Sequence, residues 1–312
     1  MTIALPSSGR LAALATVGCL LVACSGEPSA DEHPEPTQSP SASPTPTAAK
    51  PSQETASPDP ALEVPAYDRP AALARQLDHA VAVLRDEDSS AADLQRAGEF
   101  QQLAARGLAR SRPGLERSVT SRLSPEAAVL IGADARAARQ LDAMTDPQPK
   151  LPQWRIVRPP PAETLLRHYR AAQHRFDVPW THLAAIHLVE TRMGRIRGVS
   201  SAGALGPMQF LPPTWELYGA GGDIDDPRDA IFAAARLLRA NGAPGDMAGA
   251  LWHYNPSDNY VQAVSEYARS LRRSAWAYRG YWQWRVLYKH VRGTYALPVG
   301  YPDTRPELVP GR

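Results

Sequence analysis

Between residues 68 and 273, apolar positions recur at helical spacing. Leu73, Leu77, Ala80, Val81 and Leu84 stand three or four apart, which draws one apolar stripe along a helix. Asp86-Glu87-Asp88-Ser89-Ser90 interrupts it. A weaker stripe of Leu94, Ala97, Leu103 and Leu108 continues to about Ser111, where Pro113 and Gly114 break the chain. Pro125 opens a third helix bearing Ala128, Ile131 and Leu141, and Pro161 to Phe176 reads as a fourth, with Leu165, Leu166, Tyr169 and Ala172 on one side. The next starts near Pro179, because the missing proline N–H costs nothing at a first helical position. Leu183, Ile186, His187 and Glu190 follow on one stripe, and Gly194 ends the helix. Asp226-Pro227-Arg228-Asp229 reads as an N-cap, a first-turn proline and an N3 acid, ahead of Ile231, Ala234, Ala235 and Leu238, with Gly242 as the stop. Ser257 caps a helix carrying Tyr260, Val261, Val264, Tyr267, Ala268 and Leu271. These periods predict a mainly α protein.

The first 66 residues have a different texture. Leu11 to Ala23 is an apolar run of 13 residues behind Arg10, too short to span a bilayer comfortably and suited to the core of an export signal. Ten of the 31 prolines lie between Pro28 and Pro65. Residues 25–66 hold seven acids and one lysine among few aliphatics, too little apolar surface to offset chain entropy. Fully stretched, such a proline-rich tether would reach roughly 120 Å. Net charge is +2 with 21% charged residues, so nothing marks a nucleic-acid binder. The two cysteines, Cys19 and Cys24, allow neither a four-thiolate zinc site nor a disulfide framework.

Glu190 is the candidate for chemistry. It shares its stripe with apolar residues and sits near a helix C-terminus. Burial and the negative end of the helix dipole both disfavour the carboxylate, so they raise its pKa toward that of a neutral-pH proton donor. A structural alternative is an ion pair with Arg192 or another arginine. A metallohydrolase built on His182, His187 and Glu190 is a poor fit. The two histidines stand five apart, and Thr191 occupies the place where a His-x-x-Glu-His motif needs its second histidine. Asp223, Asp225 and Asp226 lack the spacing of a calcium loop and read as turn and cap residues.

Three separated motifs follow in order. Glu190-Thr191-Arg192-Met193-Gly194 ends the helix. Ser200-Ser201-Ala202-Gly203-Ala204-Leu205-Gly206-Pro207-Met208-Gln209 forms a glycine-rich stretch, and Tyr254-Asn255 stands downstream. Over roughly Pro161 to Arg273 this resembles the lytic transglycosylases of bacterial cell walls, whose catalytic domain has a goose-lysozyme-like helical fold. The Glu-Thr-Arg-x-Gly run looks like the membrane-bound B-type enzymes. The short gap to the loop and the Tyr-Asn pair look like the soluble type.

The resemblance implies Glu190 as the single catalytic acid/base. It implies Ser200, Met208, Gln209, Tyr254 and Asn255 as substrate-binding residues, with Tyr254 and Asn255 orienting the acid and the reacting sugar. It implies cleavage of the MurNAc–GlcNAc β-1,4 bond with formation of 1,6-anhydroMurNAc, peptidoglycan strands as partner, no cofactor and no metal. Leu21-Val22-Ala23-Cys24 likewise resembles a lipobox, which makes Cys24 the lipidation site and places the protein outside the cytoplasm on a membrane anchor. A hydrolytic muramidase and an inactive wall-binding lipoprotein are the competing functions. Ordinary glycosidases pair two carboxylates, and near the loop only Asp177 and the Asp223–Asp226 cluster offer a second. The expected organisation is a signal peptide over 1–23, a disordered tether over 24–66, a helical region without evident chemistry over 67–146, a linker over 147–160, a catalytic domain over 161–300 and a tail over 301–312.

Overall fold

The structure, a computed structural model, describes residue 62 and residues 64–112 and 114–309. The expected export signal, Cys24 and most of the expected tether lie outside these residues.

The helices arise where the apolar periods place them. α1 (Pro70–Arg85) and α2 (Ala91–Ala109) are separated by the acidic break, and the Ser90 side chain caps α2 by accepting from Asp93 N. A short α3 (Leu115–Thr120) that the sequence pattern left unmarked precedes α4 (Pro125–Ala143). A two-residue strand β1 (Arg155–Ile156) leads into α5 (Ala162–Phe176) and α6 (Trp180–Thr191), followed by β2 (Ile196–Arg197), which pairs with β1. Then come α7 (Pro212–Tyr218), α8 (Pro227–Ala240), α9 (Met247–Tyr254), α10 (Asp258–Arg273) and α11 (Ala277–Gln283). Asp226 caps α8 through Asp229 N, and Ser257 caps α10 through Tyr260 N. The chain closes with an antiparallel sheet of β3 (Val286–His290), β4 (Gly293–Leu297) and β5 (Glu307–Leu308), in that order. No helix among the described residues is long and apolar enough to cross a membrane.

α6 departs from the expected single stripe. Thr181, Leu183 through Leu188 and Thr191 are all buried, so the helix is enclosed nearly all round. A helix that is apolar on every side belongs in the middle of a protein, and α5, α8 and α10 surround this one.

Four of the expected boundaries fall elsewhere. Residues 67–146 are no separate bundle. Leu73, Phe100, Ile131, Tyr169, Leu183, Tyr260 and Tyr281 belong to one continuous core, and α4 packs along α10. The segment read as a linker, 147–160, carries β1, and its Ile156 forms a second core with Val286, Tyr288, Leu297 and Tyr301. The supposed tail supplies Tyr301, whose hydroxyl donates to Pro152 O at 2.7 Å, and the whole of β5. Leu62 packs on the main core, Ala66 is buried, and Ala66 N donates to Gln76 Oε1 at 3.2 Å, so this short stretch is part of the folded unit. Each of these unions joins residues far apart in sequence, which local periodicity does not encode.

Two contacts weld the early helices to the late ones. Gln102 Nε2 donates to Arg285 O at 2.8 Å while Arg285 N donates to Gln102 Oε1 at 2.9 Å, so a side-chain amide pairs the backbone as a strand would. Gly98 and Gly280 let α2 and α11 touch: a Cβ at Gly98 would lie 2.8 Å from Gly280 O and 2.7 Å from Gln283 Cβ. Gly98→Leu should therefore lower stability by about 1–3 kcal/mol through overpacking. Chemical denaturation followed by both far-UV and tryptophan signals should show one coincident transition at lower denaturant. Two separated transitions would mean that the early helices fold as a unit of their own.

Candidate active site

Glu190 occupies the last turn of α6, half-buried, and lines a cavity of about 280 Å³. Tyr260, in the first turn of α10, donates its hydroxyl to Glu190 Oε1 at 2.7 Å. Burial pushes the Glu190 carboxyl up to about 7, and the tyrosine hydrogen bond works against that rise. Among the described residues the carboxyl makes no ion pair. Arg192, the partner considered from sequence, turns back and donates to Leu188 O.

The backbone after Glu190 reverses sharply. Arg192, Met193 and Gly194 all have positive φ, at 53°, 61° and 84°. Thr191 Oγ1 pins the turn, donating to Pro207 O at 2.6 Å and accepting from Gly194 N at 3.0 Å. This fixes the end of α6 to the glycine-rich loop. Within that loop Leu205 and Phe210 exchange both backbone hydrogen bonds at 2.9 Å, closing residues 206–209 into a tight hairpin. Gly206 has φ 71°, and a Cβ there would meet Ile224 O at 2.0 Å, so the loop requires glycine at this point.

The structure brings together Glu190, Ser200, Gln209 and Asn255, all of which line the cavity. Ser200 Oγ accepts from Ala202 N and Ala204 N at 3.2 and 2.9 Å and so organises the loop as well. Gln209 has φ 51°, and its Nε2 donates to Gly206 O at 2.9 Å. Asn255 Oδ1 is buried without a hydrogen-bond donor among the described residues, an acceptor left over for a ligand.

Two expected residues take other places. The Met208 side chain is fully buried in the core and does not line the cavity. Only its backbone works here, its carbonyl accepting from Tyr254 Oη at 2.6 Å. Tyr254 therefore does not hold the acid. Its ring stacks parallel to that of Tyr260 at 6.3 Å, and it is Tyr260 that reaches the carboxyl. His187 is likewise committed elsewhere. Burial pushes its ring down to about 3, and Nδ1 lies 2.6 Å from Tyr169 Oη.

The cavity has further walls that motif reading missed. α2 supplies Gln102 and Arg106, α4 supplies Asp134 and Asp142, and β3 supplies Tyr288 and Lys289. Asp134 is fully buried; Tyr281 Oη donates to it at 2.5 Å and Gln101 Nε2 at 2.7 Å, while burial pushes its pKa up to about 7. The signal that could have found it is an aspartate on the apolar face of α4, among Leu130, Ile131 and Ala135.

Residues 167–277 match the family model of the Transglycosylase SLT domain. The chain thus carries a lytic transglycosylase SLT domain. No curated protein and no solved structure compared with the chain matches it. The SLT segment runs from within α5 to the start of α11 and contains Glu190, the glycine-rich loop, Tyr254, Asn255 and Tyr260. The helices α1–α4 and the three-stranded sheet lie outside it, although α2, α4 and β3 wall the same cavity.

The hydrogen bond from Tyr260 favours the carboxylate, so removing it should lift Glu190 further above about 7. A carbon-13 NMR titration of labelled glutamate in Tyr260→Phe should show that upward shift. An unchanged or lower midpoint would separate the two side chains energetically.

Proposed function

We propose that the protein cleaves the β-1,4 bond between N-acetylmuramic acid and N-acetylglucosamine in peptidoglycan, with Glu190 as its single acid/base. The observation that carries this reading is one carboxyl, poised near neutrality by burial and held by Tyr260, at the wall of a cavity inside an SLT domain.

Protonated Glu190 first gives its proton to the bridging oxygen as the bond to the anomeric carbon breaks. The sugar's own 2-acetamido oxygen stabilises the cationic centre. Glu190, now a carboxylate, takes the proton of the C6 hydroxyl, whose oxygen closes on the anomeric carbon as a 1,6-anhydro ring. The acid is regenerated and no water is consumed. Proton donation needs the neutral carboxyl and proton removal needs the carboxylate, so a pKa close to the working pH serves both halves. Asn255 Oδ1 and the Gln209 amide are the groups suited to an N-acetyl substituent, which presents one donor and one acceptor. Ser200 shapes the loop that carries Gln209. Tyr254 acts at one remove, through its stack on Tyr260 and its bond to Met208 O.

Glu190→Gln keeps shape and loses the proton donor. Its lysis of purified wall should fall by about 10³-fold or more, near the loss seen when one group of a catalytic set is removed, while sedimentation with the wall is retained. Mass analysis of muropeptides released by the unaltered protein should show products lighter by one water than their hydrolysed counterparts. Hydrated reducing ends alone would replace this reaction with simple hydrolysis, and lysis by Glu190→Gln equal to that of the parent would remove Glu190 from the chemistry.

The same reading takes the protein to the outside of the cell membrane, held by a lipid on Cys24 at the end of a proline-rich tether. The support is the sequence Leu21-Val22-Ala23-Cys24 behind its apolar run. Metabolic labelling with a tagged fatty acid should mark the protein and should fail in Cys24→Ala; equal labelling of both would move the anchor elsewhere.

A further inference from the structure

The cavity that holds Glu190 also holds two guanidinium groups, and one comes from a helix outside the SLT segment. Arg106 extends from α2 and Arg192 from the C-cap of α6. The other cations nearby are occupied. Arg110 pairs with Asp142 and donates to Thr294 Oγ1 at 3.1 Å. Lys289 Nζ lies 3.4 Å from Asp142 Oδ2 and donates to the backbone oxygens of Asp142 and Thr145 at 3.1 and 2.8 Å. Arg106 is held more loosely. Its nearest carboxylate oxygen, Asp142 Oδ1, is 3.9 Å away and is already held by Arg110, a separation too long for a hydrogen bond. Its Nε is buried without an acceptor among the described residues. Arg192 uses one N–H on Leu188 O, which leaves most of its five donors unspent.

Among the described carboxyl groups of the cavity Asp142 alone answers this charge, and it is shared with Arg110 and Lys289. Burial pushes both Asp134 and Glu190 up to about 7, and Asp134 is already hydrogen-bonded by Tyr281 and Gln101. Asp146 stands exposed at the rim. Burial pulls Arg106 down to about 10, so it remains a cation near neutrality. A partly buried cation that shares one carboxylate with two other cations is under-compensated in the free protein and gains when a ligand brings a further anion. Guanidinium groups match planar carboxylates through two parallel hydrogen bonds.

We infer that Arg106, supported by Arg192, is a carboxylate-recognition site inside the cleft, and that the anion it takes is a carboxylate carried by the glycan strand. This rests on the reading of Glu190 as a glycan-cleaving acid. Peptidoglycan carries carboxylates in two places: on the stem peptide, and on the lactyl ether of the muramyl sugar where the stem has been removed. The early helices then supply part of the substrate specificity, and Arg106 acts on substrate binding rather than on the bond-breaking step.

The test compares the full chain with Arg106→Gln and Arg106→Lys on three substrates: glycan strands bearing stem peptides, strands stripped of stems by an amidase, and stripped strands whose carboxylates have been amidated. Arg106→Gln should raise KM about 10-fold or more on a strand that carries the recognised carboxylate, with kcat essentially unchanged. A loss on stripped strands identifies the lactyl carboxylate, and a loss confined to stem-bearing strands identifies the peptide. On amidated strands the parent and Arg106→Gln should have equal KM. Arg106→Lys, which keeps the charge without the fork, should fall between them. Equal KM on every strand, or an equal rise on the amidated strand, overturns the assignment; thermal melting of each variant confirms that it is folded. Equilibrium binding of the same strands to chains in the Glu190→Gln background repeats the comparison without cleavage, so a failure of the lytic reading stays distinguishable from a failure of this one.

Discussion

α10 has to satisfy two partners at once, and the rest of the molecule follows from that constraint. On one side it packs along α4, and on the other it packs against α6. Its first turn delivers Tyr260 to the carboxyl of Glu190, and a later turn delivers Tyr267 to the same cavity. Because α4 covers α10, the carboxyl at the end of α6 lies in a recess and its charged form is poorly solvated. The elevated proton affinity of Glu190 is therefore a property of the whole assembly, including helices far from it in sequence.

The helices were largely legible in the sequence, for a simple reason. A stripe such as Leu73, Leu77, Ala80, Val81 and Leu84 repeats within three turns, and caps such as Ser90, Asp226 and Ser257 act on donors three residues away. The terminal sheet has a local signature too, a weaker one. Val286 and Tyr288 alternate with Leu287 and Lys289, and Gly293 follows a short turn. What could not be read was the merging of the parts. Gln102 pairing with Arg285, or Tyr301 covering Ile156, depends on chain reversals that no local window contains.

The site divides in the same way. Glu190, Ser200, Gln209 and Asn255 stand at motif positions, and the cavity gathers all four. The tyrosine that meets the acid is six residues beyond Tyr254. Asn255 to Ser257 turn the chain between α9 and α10 so that the rings of Tyr254 and Tyr260 lie at 5° to each other. Two tyrosines stacked this closely are interchangeable in a linear motif and distinct in space, where one caps Met208 O and the other holds the carboxyl. Met208 shows the opposite substitution of roles, a groove residue by position and a core residue by packing.

The continuity of the core from Leu73 to Trp284 has a consequence for how such a protein can be inherited. A module that is shuffled between genes must carry its own interior, and the segment shared with the SLT family does not do so here. Cut from its neighbours, α10 would present to water the face it buries against α4, and Glu190 would lose the wall that sets its proton affinity. Recombination at the proline-rich stretch between α4 and α5 would separate two halves of one interior. The smallest heritable unit is thus larger than the recognisable motif, and the early helices evolve under the constraints of a cavity whose Glu190 carboxyl comes from elsewhere in the chain.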